Sequence, residues 1–147
     1  SPLGFEEPGS SPIFDLIAVN WPGGAEISLV GRTGMFAYPS ASPFQILDSG
    51  EISGQVAFLQ ALSPLKSELS AYRLMVMDRD GSNLRAIFPP EGDPGIGQAE
   101  LAPAAWSPSG ARLALVYRGD LWVVDVAGGS GQPLTGDGLT IAFDWNP

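Results

Sequence analysis

The strongest structural signal in the sequence lies in Ala105-Trp106-Ser107-Pro108-Ser109-Gly110-Ala111-Arg112-Leu113-Ala114-Leu115-Val116-Tyr117-Arg118-Gly119-Asp120-Leu121-Trp122-Val123-Val124-Asp125. It holds two apolar runs, Leu113–Tyr117 and Leu121–Val124, with the length and composition of β-strands. Pro108 fixes φ for a turn, and Gly110 tolerates the positive φ that the exit of such a turn requires. The stretch therefore predicts short strands joined by tight turns.

The same pattern recurs along the chain. A shift of 86 residues places Gly24–Val30 on Gly110–Val116, and a shift of 47 residues places Leu74–Asp78 on Leu121–Asp125. A shift of 39 residues places Trp106-Ser107-Pro108 on Trp145-Asn146-Pro147. The longest shift thus spans two repeats of about 43 residues, a length typical of the four-stranded blade of a β-propeller.

We therefore predict an all-β, β-propeller-like fold with about three four-stranded antiparallel blades and one extra C-terminal strand. The blades are predicted over residues 13–48, 50–90 and 100–136, and residues 139–147 open a further blade. Residues 1–12 are rich in Pro and Gly and lack the basic and apolar regions of a signal peptide. This segment is predicted to be a linker or a processed N-terminus.

Each blade divides into four predicted strands. In the first blade they are Ile17–Trp21, Ile27–Val30, Met35–Tyr38 and Phe44–Leu47. In the second blade, which has no Trp at its start, they are Glu51–Ser53, Val56–Leu62, Arg73–Met77 and Leu84–Phe88. In the third blade they are Ala104–Trp106, Leu113–Tyr117, Leu121–Val126 and Gln132–Thr135, and Thr140–Trp145 starts the next. The best helix candidate, Ser63–Leu69, is interpreted as a loop excursion.

Segments Ala105–Leu115 and Asp120–Asp125 closely resemble the repeat of TolB-type bacterial β-propellers, which combines a Trp-Ser-Pro-Asp-Gly turn with an Asp-Leu-Trp-Val-Val-Asp-like strand. Met77–Arg85 resembles the hairpin between the third and fourth strands of that repeat, and Phe143–Pro147 resembles the start of another. The resemblance is strong over residues 72–147 and weaker over 13–62, where Tyr38-Pro39 replaces a Val-Asp pair. It implies a bacterial protein of the periplasm, the cell surface or the extracellular space.

Composition limits the chemistry that this chain can perform. Its 147 residues include 7 basic and 16 acidic side chains, for a net charge of −9, and contain neither His nor Cys. So few cations argue against a nucleic-acid partner, and the absence of His and Cys removes the commonest general base and metal ligands. No apolar run approaches the ~20 residues of a membrane-spanning helix. We expect no nucleic-acid partner, no membrane insertion, no cofactor and no catalysis by this chain.

Oxygen-bearing and aromatic side chains supply the first candidate sites. Asp78, Asp80 and Asn83 could hold a calcium ion, although a purely structural hairpin turn is the favoured interpretation. The four tryptophans resemble a carbohydrate-stacking set in number, but three of them recur at the repeat period, which favours a structural role between sheets. They are Trp21, Trp106, Trp122 and Trp145.

Two further motifs each allow a functional and a purely structural interpretation. Arg118-Gly119-Asp120 spells an integrin-type adhesion tripeptide at a place where a blade needs a tight turn, and the turn is favoured. Glu91, Asp93 and Glu100 lie in the Pro/Gly-rich connection 89–103. They form either an acidic patch for a basic partner or a cation, or solvating charge on a loop, and the latter is favoured.

Three functional hypotheses follow. The first is a non-enzymatic interaction or assembly scaffold, which binds other proteins, further copies of itself or a complementary propeller chain. The alternative is the propeller fragment of a larger enzyme, such as a prolyl-oligopeptidase-like peptidase, whose blades gate access while another domain carries the nucleophile. A lyase or hydrolase built on the propeller itself ranks last, because it needs His or metal ligands from outside this segment.

An open arc of about three blades leaves an unpaired edge at its C-terminal strand. The residues of this assembly edge are Thr140, Ile141, Phe143 and Trp145. Exposed strand edges pair readily with other strands, so we predict a homo-oligomer or a complementary chain joined by strand addition.

Overall fold

The computed structural model describes residues 14–19, 23–24, 26–43, 45–46, 48–50 and 52–135. Their strands all pair antiparallel, and the only helices among them are short 3₁₀ segments at Pro64–Lys66 and Gln98–Glu100, which confirms the all-β, propeller-like fold class. The strands are β1 (Leu16–Val19), β2 (Glu26–Val30), β3 (Ser40–Ala41), β4 (Gln45–Ile46), β5 (Ile52–Ser53), β6 (Gln55–Ala61), β7 (Tyr72–Asp78), β8 (Arg85–Phe88), β9 (Ala105–Trp106), β10 (Arg112–Tyr117), β11 (Asp120–Asp125) and β12 (Gly131–Pro133). Across these ranges no helix is long and apolar enough to cross a membrane.

Two four-stranded sheets form the centre of the described structure. Strands β3, β6, β7 and β8 follow each other in the middle sheet, and β9, β10, β11 and β12 do so in the C-terminal sheet. Two smaller pairs accompany them: the N-terminal hairpin β1–β2 and the short hairpin β4–β5. Each four-stranded sheet is a meander with the strand order of a propeller blade.

The four strands predicted over residues 13–48 do not form one sheet. In the described residues β1 pairs with β2 alone, and Met35–Tyr38 form a turn and coil where a strand was predicted. The N-terminal hairpin corresponds by sequence to the third and fourth strands of a blade, because Asp15–Val19 matches Asp120–Val124 at a shift of 105 residues. The 86-residue shift aligns β2, a fourth strand by this match, with Leu113–Val116, which belongs to a second strand. The two segments resemble each other because both are short apolar runs that follow a Gly turn.

An aspartate lies at the start of each of these two third strands, Asp15 just before β1 and Asp120 at the first position of β11. Asp15 Oδ1 accepts a hydrogen bond from the backbone N–H of Arg32, just beyond β2, at 3.0 Å. Asp120 Oδ1 accepts one from Thr135 Oγ1, just beyond β12, at 3.3 Å. In both hairpins the aspartate thus accepts a hydrogen bond from a residue just beyond the fourth strand, from a backbone N–H in one and from a side-chain hydroxyl in the other.

The first strand of the middle sheet is β3 and not the predicted Glu51–Ser53. Ser42, immediately after β3, donates its N–H to Gln55 O at 2.8 Å, and its hydroxyl accepts the Gln55 N–H at 2.9 Å. Ser107, immediately after β9, makes the same two bonds with Arg112 at 2.9 and 3.1 Å. The structural equivalent of Trp106-Ser107-Pro108 is thus Ala41-Ser42-Pro43, with Ala in place of Trp.

The residues predicted as that opening strand instead belong to an insertion. Ile52–Ser53 pairs with Gln45–Ile46 to form the hairpin β4–β5. Along the chain, this hairpin is inserted between β3 and β6, the first two strands of the middle sheet. The corresponding turn in the C-terminal sheet needs only the residues between Ser107 and Arg112. The insertion hid the repeat, because it displaced the Ser-Pro signature from the strand that follows it.

The middle sheet is apolar on both faces, as expected for an internal blade. One face packs with the C-terminal sheet in a cluster that includes Leu59, Leu74, Val76, Phe88, Leu113, Leu115, Tyr117 and Val124. The opposite face packs with the N-terminal hairpin through Phe58, Met75 and Met77 against Val30, Leu16 and Leu29. Because side chains alternate along a strand, neighbouring residues such as Phe58 and Leu59 enter different cores.

Candidate functional site

The long connections meet at one end of the two sheets. In an antiparallel meander, the loop between the second and third strands lies at the same end as the connection to the next sheet. Residues 31–39, 62–71, 89–104 and 118–119 accordingly form what we call the long-loop end. Ile96 pairs with Tyr72 through two backbone hydrogen bonds of 2.9 and 2.7 Å, and Tyr117 donates its hydroxyl proton to Pro94 O at 2.6 Å.

The loop 62–71, called the leucine loop below, is fixed by buried polar groups. Tyr72 donates its hydroxyl proton to Ser67 O at 2.9 Å, and Ser70 Oγ accepts the N–H of Ser63 at 2.9 Å. Gln98, from the neighbouring connection, donates its side-chain N–H to Ser70 O. Burial raises the pKa of Tyr72, so its hydroxyl keeps the proton that this contact needs.

A neighbouring connection also presses against the leucine loop. Gly34 has φ +92, and a Cβ placed there would lie 2.7 Å from Ala61 Cβ and 2.8 Å from Tyr72 Oη. The same added atom would lie 3.1 Å from Ser67 Cβ. Only glycine suits both the backbone angle and the space, so the 31–39 connection packs directly on the base of the loop.

The leucine loop exposes three leucines and buries two of its serines. Ser67 and Ser70 are 0% and 6% exposed, whereas Leu62, Leu65 and Leu69 are 48%, 48% and 71% exposed. Lys66, in the middle of the loop, is also exposed and is the only lysine of the chain. No sequence signal had marked this loop as a candidate site.

The predicted acidic group on the 89–103 connection separates into two kinds of carboxylate. Both oxygens of Glu100 accept backbone hydrogen bonds, from Arg118 at 2.9 Å and from Gly119 at 2.6 Å. Glu91 and Asp93 are exposed. Glu100 therefore stabilises the next hairpin turn, and only the other two carboxylates present charge to solvent.

Arg118 and Gly119 are the two central residues of that hairpin turn. Their φ angles are +52 and +80, and Tyr117 pairs with Asp120 across the turn. Positive φ at both central residues is the geometry that joins two strands without splaying them. The backbone of the tripeptide Arg118-Gly119-Asp120 thus forms the turn and donates hydrogen bonds to Glu100.

The calcium candidate lies in the β7–β8 turn at the opposite end of the sheet. Asp80 Oδ1 accepts hydrogen bonds from Ser82 N at 3.0 Å and from Ser82 Oγ at 2.5 Å. The Ser82 hydroxyl, and then its backbone N–H, lower the pKa of Asp80. Gly81 and Asn83 have φ of +88 and +55, and Asp78 donates its N–H to Ser82 O at 2.8 Å. These contacts organise a turn, and no group of three or more His, Cys, Asp or Glu within the described ranges could hold a metal ion.

Two of the four tryptophans lie in the described residues, between the middle and C-terminal sheets. Trp106 donates its indole N–H to Ser40 O at 2.9 Å, which links the first strands of the two sheets. Trp122 packs against Phe88 and Tyr117, with ring centroids 5.3 and 5.7 Å away. Trp21, Trp145 and the predicted assembly edge of Thr140, Ile141 and Phe143 lie outside the described residues.

The blade-like sheets and their repeated Ser-Pro turns define a propeller-type repeat protein. Residues 68–145, just over half of the chain, match the family model of the dipeptidyl peptidase IV (DPP IV) N-terminal region. The chain therefore belongs to the DPP IV N-terminal region family. Neither the curated proteins nor the solved structures contain a match to it.

Proposed function

We propose that this chain is the propeller part of a larger peptidase related to dipeptidyl peptidase IV, in which another domain carries the catalytic residues. The observation that carries the proposal is the match of residues 68–145 to the family's N-terminal region. The composition supports it, because a chain without His or Cys lacks the side chains on which most peptidase mechanisms depend. The propeller would then control which peptides reach the catalytic domain.

The contacts at the long-loop end support a role of the propeller in positioning the catalytic domain or its peptides. Hydrogen bonds from Tyr72 to Ser67 O and from Tyr117 to Pro94 O, together with the Glu100 contacts, hold its loops in one arrangement. A surface ordered before binding loses less conformational entropy when a domain or peptide docks on it. The net charge of −9 also favours the approach of peptides with cationic amino termini.

The proposal is tested on the native polypeptide. An antibody raised against this chain is used to isolate that polypeptide, which is then treated with a fluorophosphonate probe and a chromogenic dipeptidyl substrate. We expect a polypeptide heavier than 15.4 kDa that labels covalently and hydrolyses the substrate. Replacing the serine of a Gly-x-Ser-x-Gly motif in the flanking sequence should abolish both signals. A native 15.4 kDa protein that neither labels nor hydrolyses would overturn the proposal.

A TolB-type, non-enzymatic scaffold outside the cytoplasm is the second candidate. It is favoured by the outward face of the C-terminal sheet, where Val116, Leu121 and Val123 are partly exposed and Leu134 is exposed. Such a face suits the packing of a further sheet from another copy or from a complementary chain, which strand addition at a sheet edge would bring alongside. Sedimentation of the native protein as a 15.4 kDa monomer, or its recovery in the cytoplasmic fraction, would contradict this candidate.

A further inference from the structure

The leucine loop combines several exposed leucines with two buried serines, while its charged side chains are also exposed. Over residues 62–71 the serines at 67 and 70 are buried while the leucines at 62, 65 and 69 face solvent. Single exposed apolar residues are common on protein surfaces, but three within eight residues, beside two buried serines, form a local pattern. Solvation alone favours the opposite arrangement, with the leucines inside.

Specific contacts hold the loop in this arrangement. The backbone of Ser67 and Ser70 accepts hydrogen bonds from Tyr72 and Gln98, which lie on β7 and on the neighbouring connection. Gly95 lets that connection approach closely, since an added Cβ would lie 2.8 Å from Ala71 Cβ and 2.9 Å from Leu62 Cδ1. The outward position of the leucines is therefore a property of the packed fold and not of a loose segment.

We propose that the leucine loop is the docking surface for the catalytic domain of the same polypeptide. This inference rests on the proposed function. Two observations favour this occupant: the family model describes an N-terminal region, so its members continue into further chain, and the loop lies at the ordered long-loop end. Glu68 in the loop and Glu91 and Asp93 in the neighbouring connection are exposed. The complementary surface accordingly places apolar side chains against the leucines and basic ones against these three carboxylates, while Lys66 adds one positive charge within the loop.

Lys66 makes this surface directly measurable. Because it is the only lysine in the 147 residues, every lysine-derived amine crosslink from this chain must start at the leucine loop. The full-length polypeptide is treated with a short amine-reactive crosslinker and analysed by mass spectrometry. We expect crosslinks from Lys66 to lysines of the catalytic domain, and Lys66→Arg gives the background.

Variants separate docking from mere proximity. Replacing Leu62, Leu65 and Leu69 together by Ser should reduce the crosslink yield to the Lys66→Arg background. A matched pair of exposed leucines outside the loop, Leu84→Ser with Leu134→Ser, should leave the yield at the wild-type level. If the triple variant does not fold, Leu69→Ser alone should lower the yield, because Leu69 is the most exposed of the three at 71%.

The outcomes distinguish this inference from the proposed function. Failure of the fluorophosphonate reaction on wild-type polypeptide overturns the proposed function itself. A labelled catalytic domain without crosslinks to Lys66 overturns only the docking surface. Crosslinks solely between Lys66 residues of mixed isotope-labelled copies would identify a second copy as the occupant and also refute the inference.

Discussion

Substituting Ala for Ser42 and for Ser107 tests the structural repeat where the sequence concealed it. Both side chains are buried, and each hydroxyl accepts the N–H of the residue that begins the second strand of its sheet, Gln55 or Arg112. Removing the hydroxyl leaves that partly buried backbone donor without its partner and also deletes a long contact of 3.3 Å, from Ser42 to Pro43 O or between Ser107 and Ser109. Because the two sites have the same geometry, the two substitutions should have nearly the same cost.

The magnitude follows mainly from the loss of the bond to the Gln55 or Arg112 N–H, because the second contact of each hydroxyl is long at 3.3 Å. A net hydrogen bond contributes about 0.5–1.5 kcal/mol, and an unsatisfied buried donor adds to the loss, so each variant should lower the free energy of unfolding by about 1–2 kcal/mol. For a domain of this size, this loss corresponds to a fall in Tm of about 2–8 °C. Urea denaturation followed by tryptophan fluorescence measures the change.

Ser49→Ala provides the matched control, because Ser49 is exposed at the tip of the inserted hairpin. It should change the free energy of unfolding by less than about 0.5 kcal/mol. A Ser42→Ala variant as stable as this control, beside a destabilised Ser107→Ala variant, would refute the equivalence of the two turns. A change in the slope of the denaturation curve would point instead to an altered denatured state.

Three further predictions concern packing and ionisation. Trp106→Ala should lower the free energy of unfolding by about 3–4 kcal/mol. Trp106→Phe should lower it by about 1 kcal/mol, because Phe keeps most of the packing and loses only the indole hydrogen bond. Equal urea midpoints for the two variants would contradict this prediction. Gly34→Ala should lower the free energy of unfolding by about 2–4 kcal/mol, because a Cβ there meets neighbouring atoms. Gly50→Ala should lower it by about 1 kcal/mol, because Gly50 has φ +83 but open space around it. Equal losses of stability would show that the contacts around Gly34 are unimportant. Burial raises the pKa of Tyr72 and Tyr117 above the usual 10.0. As the pH rises above 10, these tyrosines therefore ionise first in the unfolded state. Their contribution to stability is constant below pH 10 and is lost above it. Unfolding curves from pH 8 to 11 should show this loss, and a wild-type stability independent of pH in that range would contradict it.

The strands that sequence reasoning placed well are those with continuous apolar runs. Val56–Leu62, Arg73–Met77 and Leu113–Tyr117 were predicted within a residue of the observed β6, β7 and β10 at each end. β6 and β7 lie at the centre of the middle sheet, where burial on both faces favours apolar side chains, and β10 lies at the centre of the C-terminal sheet, where four of its six residues are buried. Their composition alone therefore reveals both their presence and their approximate length.

The first strand of the middle sheet could not be found in the same way. Ser40–Ala41 is only two residues long and has no apolar run, and its usual Trp is replaced by Ala41. Its position is fixed by pairing with Val56–Ala57 and by the Ser42 contacts across the inserted hairpin. Such information lies in the relation between distant residues, and a local pattern does not contain it.

The leucine loop shows why sequence patterns also missed the candidate docking surface. Locally, Leu62, Leu65 and Leu69 alternate with polar residues, a pattern that is compatible with leucines turned inward or outward. The choice depends on Gln98, which lies 28 residues beyond the Ser70 carbonyl that it contacts, and on Tyr72 beneath the loop. These donors fix the serine backbone in the interior, and the three leucines lie on the solvent side of the loop. The surface that distinguishes this blade is therefore created by packing between connections, while the strand repeat determines only where those connections meet.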